Sequence, residues 1–223
     1  MKYSKIVKGK FIARPNRFVA NVEIDGKVET VHVKNTGRCK ELLVKGATVY
    51  LAESDNPQRK TKYDLVCVKK GDFLVNMDSQ IVNDVAYEYL SRIFPCATIK
   101  REVRYKNSRF DFYIENGKDK IFVEAKGVTL ENDGIVSFPD APTERGVKHL
   151  KELISATKEG FLCYALFIVQ MEGVKYFTPN DKTHKEFGDT LRLAKGEGVN
   201  ILCIDCKIYE NEIIPHKEIE IKL

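Results

Sequence analysis

A chain of 223 residues has room for two modest domains, a small barrel of about eighty residues and an α/β core made from the rest. Its net charge of +5 is unevenly placed: residues 1–80 carry 16 Lys or Arg against 9 Asp or Glu, and the remainder 21 against 23. No apolar run is longer than FLCYALFIV, which excludes a membrane-spanning helix, and six cysteines in a chain of this size and setting do not make a disulfide framework.

Residues 1–80 read as short strands. FIARPNRFVANVEI, a turn at Asp25-Gly26, VETVHVK, ATVYLAE and TKYDLVCVKK supply four or five strands with hairpin alternation. A five-stranded, partly open barrel of the OB type is the simplest closure. RCKELLVKG between strands makes a helical turn or two ending at Gly46. Two polar loops suit phosphate oxygens: Arg14, Asn16 and Arg17 around Pro15, and Asn35, Thr36, Gly37, Arg38 and Lys40. The basic excess of this half points the same way, since clustered Lys and Arg bind nucleic acid through counterion release; a solvated surface is the competing explanation. Phe11, Phe18 and Tyr50 can each offer a stacking face to an unpaired base, with the barrel core as the competing assignment.

Near residue 80 the period changes. In QIVNDVAYEYLSRIFP, Val82, Val85, Ala86, Tyr89, Leu90 and Ile93 recur at helical spacing and Pro95 ends the run. This amphipathic helix opens a second domain, residues 81–223. The strand-like runs SRFDFYIE and IFVEAKGV follow, joined across Asn116-Gly117. Alternation puts Arg109, Asp111 and Tyr113 on one face of the first run, and Glu124 and Lys126 on one face of the second. A two-residue turn at Asn116-Gly117 pairs Glu115 with Lys118 and sets Asp111 diagonal to Glu124; a four-residue loop sets them opposite, and a three-residue loop separates them. Asp111, Glu124 and the carbonyl of Ala125 then form an oxygen site for Mg2+, with Mn2+ as its substitute, leaving room for a phosphate and an attacking water. Lys126 is assigned to the charge developing on phosphorus, because two nearby carboxylates make it a poor base. The competing assignment is a set of solvent-facing charges on an exposed hairpin.

Residues Gly127 to Asp140 form a long polar connection, stiffened at its exit by Pro139 and Pro142. The helix that follows turns Val147, Leu150, Leu153 and Ile154 inward, and Arg145 and His149 share another face. Asp140 or Thr143 caps it, and Arg145 is the expected phosphate clamp, with Lys148 and His149 in support. FLCYALFIVQ reads as a strand covered on both faces, KTHKEFGDTLRLAKGEG as a charged helix, and NILCIDCKIYE with EIIPHKEIEI as a closing strand pair. Cys203-Ile-Asp-Cys206 is the only CxxC pair, and His184 and His216 are too isolated to complete a zinc site. No glycine-rich P-loop, nucleophile elbow or dinucleotide fingerprint occurs, so no nucleotide cofactor is expected. Met1 is followed by a lysine-rich, strand-like segment, so the cytoplasm is the expected location.

The segments ARPNRF, NTGRCKELL, VNMDSQIVN, SRFDF, VEAKGVTL and FPDAPTERGVKHLKEL, spread over most of the chain, resemble the sugar fermentation stimulation protein family. The resemblance implies a small barrel joined to a PD-(D/E)xK nuclease-like α/β domain with a mixed central sheet, and DNA as the partner. Asp111, Glu124 and Lys126 match that signature, and Arg109 is counted with the residues facing nucleic acid. Arg109 and Phe110 precede the aspartate, so the literal Pro-Asp is absent. Nuclease cores of this kind often draw an acidic residue from their first helix. Glu88 stands at that position, but its angle puts it beside Asp84 toward solvent; Asn83, nearer the apolar stripe, is the supporting residue. Two readings follow: a magnesium-dependent nuclease, or a non-catalytic DNA-binding regulator of sugar-utilisation genes that keeps a nuclease-like fold. The carboxylates favour the first, because beside DNA they repel phosphates unless a metal screens them. A small-molecule enzyme of sugar metabolism ranks third. Nuclease-like domains often act as homodimers to cut both strands, but no coiled coil or exposed apolar segment marks an interface here.

Overall fold

The computed structural model describes residues 1–35 and 37–223; Thr36 of the second polar loop lies outside the described residues. Six strands come first: β1 (Ile6–Asn16), β2 (Val19–Ile24), β3 (Lys27–Val33), β4 (Thr48–Glu53), β5 (Tyr63–Lys70) and β6 (Phe73–Asn76). They lie in the order β3-β2-β1-β4-β5-β6, and β3 also pairs with β5, so the first five close into a barrel. FIARPNRFVANVEI is two of these strands. Asn16 pairs with Val19 across Arg17 and Phe18, and Asn16 Oδ1 accepts from the N–H groups of Phe18 and Val19 at 2.9 and 3.2 Å, which fixes the turn. RCKELLVKG is a single turn, with the N–H groups of Leu42 and Leu43 both directed at the Cys39 carbonyl and Leu42 buried in the barrel.

The barrel closes on a short seam of only two residue pairs, His32 with Asp64 and Val33 with Leu65. Charge reinforces it. Buried Asp64 accepts from Arg59 at 2.5 and 3.0 Å and from His32 Nδ1 at 3.1 Å, and Lys34 lies 3.2 Å away. Burial pushes the Asp64 carboxyl up, but the hydrogen bonds from Arg59 and the Lys34 charge outweigh it and hold the group at about 2.

The second part comprises α1 (Val82–Ile93), β7 (Thr98–Tyr105), β8 (Ser108–Asn116), β9 (Asp119–Val128), β10 (Leu130–Asn132), β11 (Ile135–Phe138), α2 (Glu144–Lys158), β12 (Leu162–Val169), β13 (Tyr176–Pro179), α3 (Asp181–Gly196), β14 (Asn200–Tyr209), β15 (Glu212–Glu218) and β16 (Glu220–Ile221). The central sheet runs β15-β14-β12-β9-β8-β7. It is mixed: β14, β12 and β9 are parallel, and the outer pairings are antiparallel. On one face Val85, Ala86, Tyr89 and Leu90 of α1 pack with Phe112, Val123 and Leu166. The other face carries α2, whose Val147, Leu150 and Leu153 share a core with Phe110, Phe122 and Phe167, and α3 packs against α2.

Two elements escape the periodicity. Strand β7 is an edge strand with Lys100, Arg101, Glu102 and Arg104 all exposed, so charges on both faces mask its alternation. The connection from Gly127 to Asp140 is not open loop. It folds as a hairpin of β10 and β11 about Asp133-Gly134, both left-handed at φ +53° and +82°, and joins β13 and β16 in a small second sheet.

The segment VNMDSQIVN is the joint between barrel and α/β part. The Asn76 N–H donates to the Gln170 carbonyl at 2.9 Å, while buried Gln170 Nε2 donates to Asn76 Oδ1 and the Asp78 carbonyl at 2.9 and 3.0 Å. From the barrel side, Asn35 Nδ2 donates to the Met77 carbonyl at 3.1 Å, and the Ser79 hydroxyl donates to the Lys34 carbonyl. Asn35, Asn76, Asp78 and Gln170 are buried and satisfy one another and the backbone, which fixes the orientation of the two parts.

Candidate functional site

Strands β8 and β9 pair from Asn116 with Asp119 up to Phe112 with Val123. The two-residue turn is therefore Gly117-Lys118, with Gly117 at φ +62°, and not Asn116-Gly117. Glu115 consequently pairs with Lys120 instead of Lys118, a change of two that leaves every side chain on its expected face. The same register carries Asp111 to the level of Glu124. There the ladder ends. Asp111 turns its carboxylate onto the neighbouring backbone, Oδ2 accepting from the Ala125 N–H at 2.8 Å and Oδ1 from Asn83 Nδ2 at 2.8 Å.

Glu124 is buried. Its Oε1 receives both the Lys126 ammonium and His149 Nδ1, while Oε2 is enclosed without a hydrogen-bond partner among the described residues. Arg145 Nε donates to His149 Nε2 at 3.3 Å, so the ring proton sits on Nδ1, facing Glu124. Burial pushes the Glu124 carboxyl up, but the His149 hydrogen bond and the Lys126 charge outweigh it and hold the group below the usual glutamate range. Asp111 goes the other way. Burial and then the Glu124 charge push its carboxyl up, against the opposing Ala125 N–H, Lys126 and Asn83. The site thus concentrates more negative charge than its own residues neutralise, and an enclosed carboxylate oxygen is left over. Asp111, Glu124 and the backbone at Ala125 fit a hard divalent cation on that ground.

Beside the carboxylates lies a cavity of about 240 Å³ between the two parts of the molecule, lined by Asn83, Ala125 and Lys126 from one side and by Asn35 and Gly37 from the other. Gly37 is required there, because a Cβ would stand 2.3 Å from Asp140 Oδ2. The Arg38 N–H donates to that same oxygen at 3.0 Å. Asp140 therefore ties the barrel loop down and is not the cap of α2; Thr143 caps that helix, its hydroxyl accepting from the Gly146 N–H at 3.1 Å. Gln170, which the sequence reading passes over, also lines the cavity, and Gly127 allows its side chain to approach β9 closely. A polar residue ending the apolar run FLCYALFIVQ is the only signal that marks it.

The expected phosphate ligands divide by what they touch. The Arg14 guanidinium donates to the carbonyls of Arg17, Asn35, Gly37 and Arg38, so it builds the loop and has little left for a phosphate. Asn16 holds the β1–β2 turn. Arg17, Arg38 and Lys40 line a basin of about 310 Å³ and form no ion pairs among the described residues. On the far side, Arg109, Arg145, Lys148 and His149 line a hollow of about 470 Å³. Arg109 pairs there with Glu102 at 2.7 Å, and Lys148 donates to the Asn107 carbonyl at 3.0 Å. Glu88 pairs with Arg92 of its own helix, away from the carboxylates.

Two family models match this chain one after the other: the SfsA N-terminal OB domain over residues 12–77 and the sugar fermentation stimulation protein RE domain over residues 77–212. The chain belongs to the sugar fermentation stimulation protein family. Family members similar to it include the sugar fermentation stimulation protein homolog of Clostridium beijerinckii, 60% identical over 96% of each chain. That of Desulfitobacterium hafniense is 56% identical over 100% of this chain and 99% of its own. The structure of Pyrococcus furiosus SfsA in complex with Ca2+ superposes with a TM-score of 0.89 at 30% identity, covering 100% of this chain and 98% of that one. Within the family's two-part plan the basin of Arg17, Arg38 and Lys40 falls in the OB domain, and Asp111, Glu124 and Lys126 fall in the RE domain. Among the described residues no helix is long and apolar enough to cross a membrane.

Proposed function

We propose that the protein binds DNA and hydrolyses phosphodiester bonds as a magnesium-dependent nuclease, with Asp111, Glu124 and Lys126 at the reacting phosphate. The observation that carries this reading is Glu124 Oε2, enclosed and without a hydrogen-bond partner among the described residues, at the level of a second carboxylate whose own ionisation is disfavoured. Mg2+, or Mn2+ in its place, supplies Lewis acidity to the phosphate and lowers the pKa of water when bound. Asp111, Glu124 and the Ala125 carbonyl hold it. The Ca2+ in the P. furiosus relative supports an oxygen-rich divalent site in this architecture. Lys126 Nζ, held against Glu124, offers its charge to the oxygens of the phosphate as the phosphorus becomes pentacovalent. His149 and Arg145 keep the Glu124 carboxylate oriented, and Asn83 does the same for Asp111. Arg17, Arg38 and Lys40 take backbone phosphates on the OB side, with Arg109, Arg145 and Lys148 on the other. No nucleotide cofactor takes part, and the reaction belongs to the cytoplasm.

The test is cleavage and binding of labelled single-stranded and duplex DNA with Mg2+, Mn2+ or EDTA, for wild type, Asp111→Ala and Lys126→Ala. Metal-dependent cutting that falls by about 10²–10³ in both variants, with binding kept, is the expected result. Binding indifferent to metal, with no cutting of any substrate, would instead support the non-catalytic regulator.

A further inference from the structure

The surface proposed to meet nucleic acid is a track, not a flat face. The basin of Arg17, Arg38 and Lys40 shares Gly37 with the cavity between the domains, and that cavity reaches Lys126. Beyond Glu124, its partner His149 belongs to the third hollow, with Arg145 and Lys148. Basic residues thus flank the two carboxylates at both ends.

We propose that this track takes one strand of single-stranded nucleic acid, with Phe18 as the stacking platform at its entrance; the inference rests on the nuclease reading only for where the strand leads. Size is the first reason. A cavity of about 240 Å³ lies below the ~300–1,000 Å³ of ordinary small-molecule sites, enough for a phosphodiester with part of one nucleotide. A volume of that size does not enclose a base pair with its two backbones, so a duplex does not enter it intact. On the barrel side of the cavity Asn35 donates to the Met77 carbonyl at the joint and the Arg38 N–H to Asp140, and the Lys34 carbonyl receives the Ser79 hydroxyl.

Phe18 is the second reason. Of the three barrel aromatics able to stack, Phe11 and Tyr50 are 4% and 7% exposed and serve the core, whereas Phe18 is 55% exposed. It stands at the tip of the β1–β2 turn beside Arg17, which lines the basin. Its backbone is held on both sides, its N–H by Asn16 Oδ1 and its carbonyl by the Val33 N–H at 2.7 Å. An exposed ring on a fixed backbone next to cations that form no ion pair among the described residues is the combination that single-strand binders use, since every base has a face to stack and every nucleotide a phosphate to neutralise.

Fluorescence anisotropy in EDTA, where no strand is cut, tests this with labelled oligo-dT, oligo-dU, oligo-U and a DNA duplex of the same length. Wild type is expected to bind a single strand at least about tenfold more tightly than the duplex. Phe18→Ala should lose about tenfold on the single strand and nothing on the duplex, with an unchanged melting temperature, while Phe18→Tyr keeps wild-type binding. Oligo-dU compared with oligo-U, which differ only in the 2′-OH, assigns the sugar, and a Phe18-dependent preference for either strand supports the proposal. Duplex bound as tightly as single strand, or single-strand binding indifferent to Phe18→Ala, overturns it. Failure of the nuclease reading looks different: oligo-dT held through Phe18 yet left intact in Mg2+ removes the nuclease and leaves this inference standing.

Discussion

Two carboxylate clusters, each joining an aspartate with a lysine and a histidine, leave their aspartates in opposite electrostatic states. At the barrel seam one acid, Asp64, meets three basic side chains, Arg59, Lys34 and His32, and its carboxyl is held at about 2. In the RE domain two acids, Asp111 and Glu124, share Lys126 and the His149 ring; Glu124 takes both contacts, and Asp111 is left with its carboxyl pushed up. The seam has its cations built in, and the site lacks one. A cluster that is complete serves the fold, whereas a cluster short of positive charge is one that a ligand can complete. On the proposed reading Asp64 belongs to the fold and Asp111 to the site, although both are aspartates on strands, Asp64 buried and Asp111 half-buried.

The largest effect should come from breaking the complete cluster. Asp64→Ala leaves Arg59 and His32 without their carboxylate and Lys34 with Asp78 alone, beside a seam of two residue pairs, and should cost about 3 kcal/mol. The low end of the range for buried pairs applies because Lys34 and Arg59 retain some access to water. The pH dependence follows from the depressed carboxyl. Asp64 contributes stability above the ordinary aspartate value near 4 and loses it as pH falls through about 2, so the gap between wild type and Asp64→Asn should be full at pH 7 and narrow steadily below pH 4. Urea melts across that window check it; a gap that persists undiminished at pH 2 would mean that shape, not charge, holds the seam.

Very little of that cluster was visible before the fold was known. His32 and Lys34 come from the end of β3 and just beyond it, and Arg59 and Asp64 from β5 and the loop before it, and no local spacing links the two pairs. The carboxylates of the RE domain were legible because alternation is a local rule: Asp111 and Glu124 meet whether the turn is centred on Asn116-Gly117 or on Gly117-Lys118, since both registers preserve the faces. The barrel's strands and the helices α1, α2 and α3 were legible from periodicity for the same reason. Function within a loop was not. Arg14 and Arg17 stand three residues apart in one basic segment, yet Arg14 is consumed by four carbonyls and Arg17 faces the basin. Asp140 reads as a helix cap from its place before α2, whereas its partner is the Arg38 amide of the other domain, a contact that only tertiary structure supplies.

A smaller effect separates the two acids of the incomplete cluster. His149 touches Glu124 Oε1 and is itself held by Arg145, so it acts through the carboxylate's position. His149→Ala should weaken Mn2+ binding, read by titration calorimetry, by about 10–100-fold, and His149→Gln, which keeps a donor toward Glu124, should recover part of the loss. Equal affinity in all three proteins would remove Glu124 from the cation site.

The smallest effect has the most informative sign. Because the Asp111 carboxyl is pushed up, its ionised form costs stability at neutral pH, and that cost vanishes as acid protonates it. Asp111→Asn removes the charge without removing the shape. The new amide can still accept from the Ala125 N–H through its oxygen, and its nitrogen can donate to Asn83 once that side chain flips, so both hydrogen bonds survive in altered polarity. In EDTA the variant should therefore be more stable than wild type by about 0.5–2 kcal/mol, as expected where a functional residue is held at the expense of the fold. Added Mn2+ should reverse the order, since wild type gains about 2.7 kcal/mol at a hundredfold excess over Kd and the variant gains nothing. The corresponding change at the seam, Asp64→Asn, should destabilise with or without metal. Should Asp111→Asn also destabilise in EDTA, Asp111 would join Asp64 as a residue of the fold, and the distinction between the clusters would collapse.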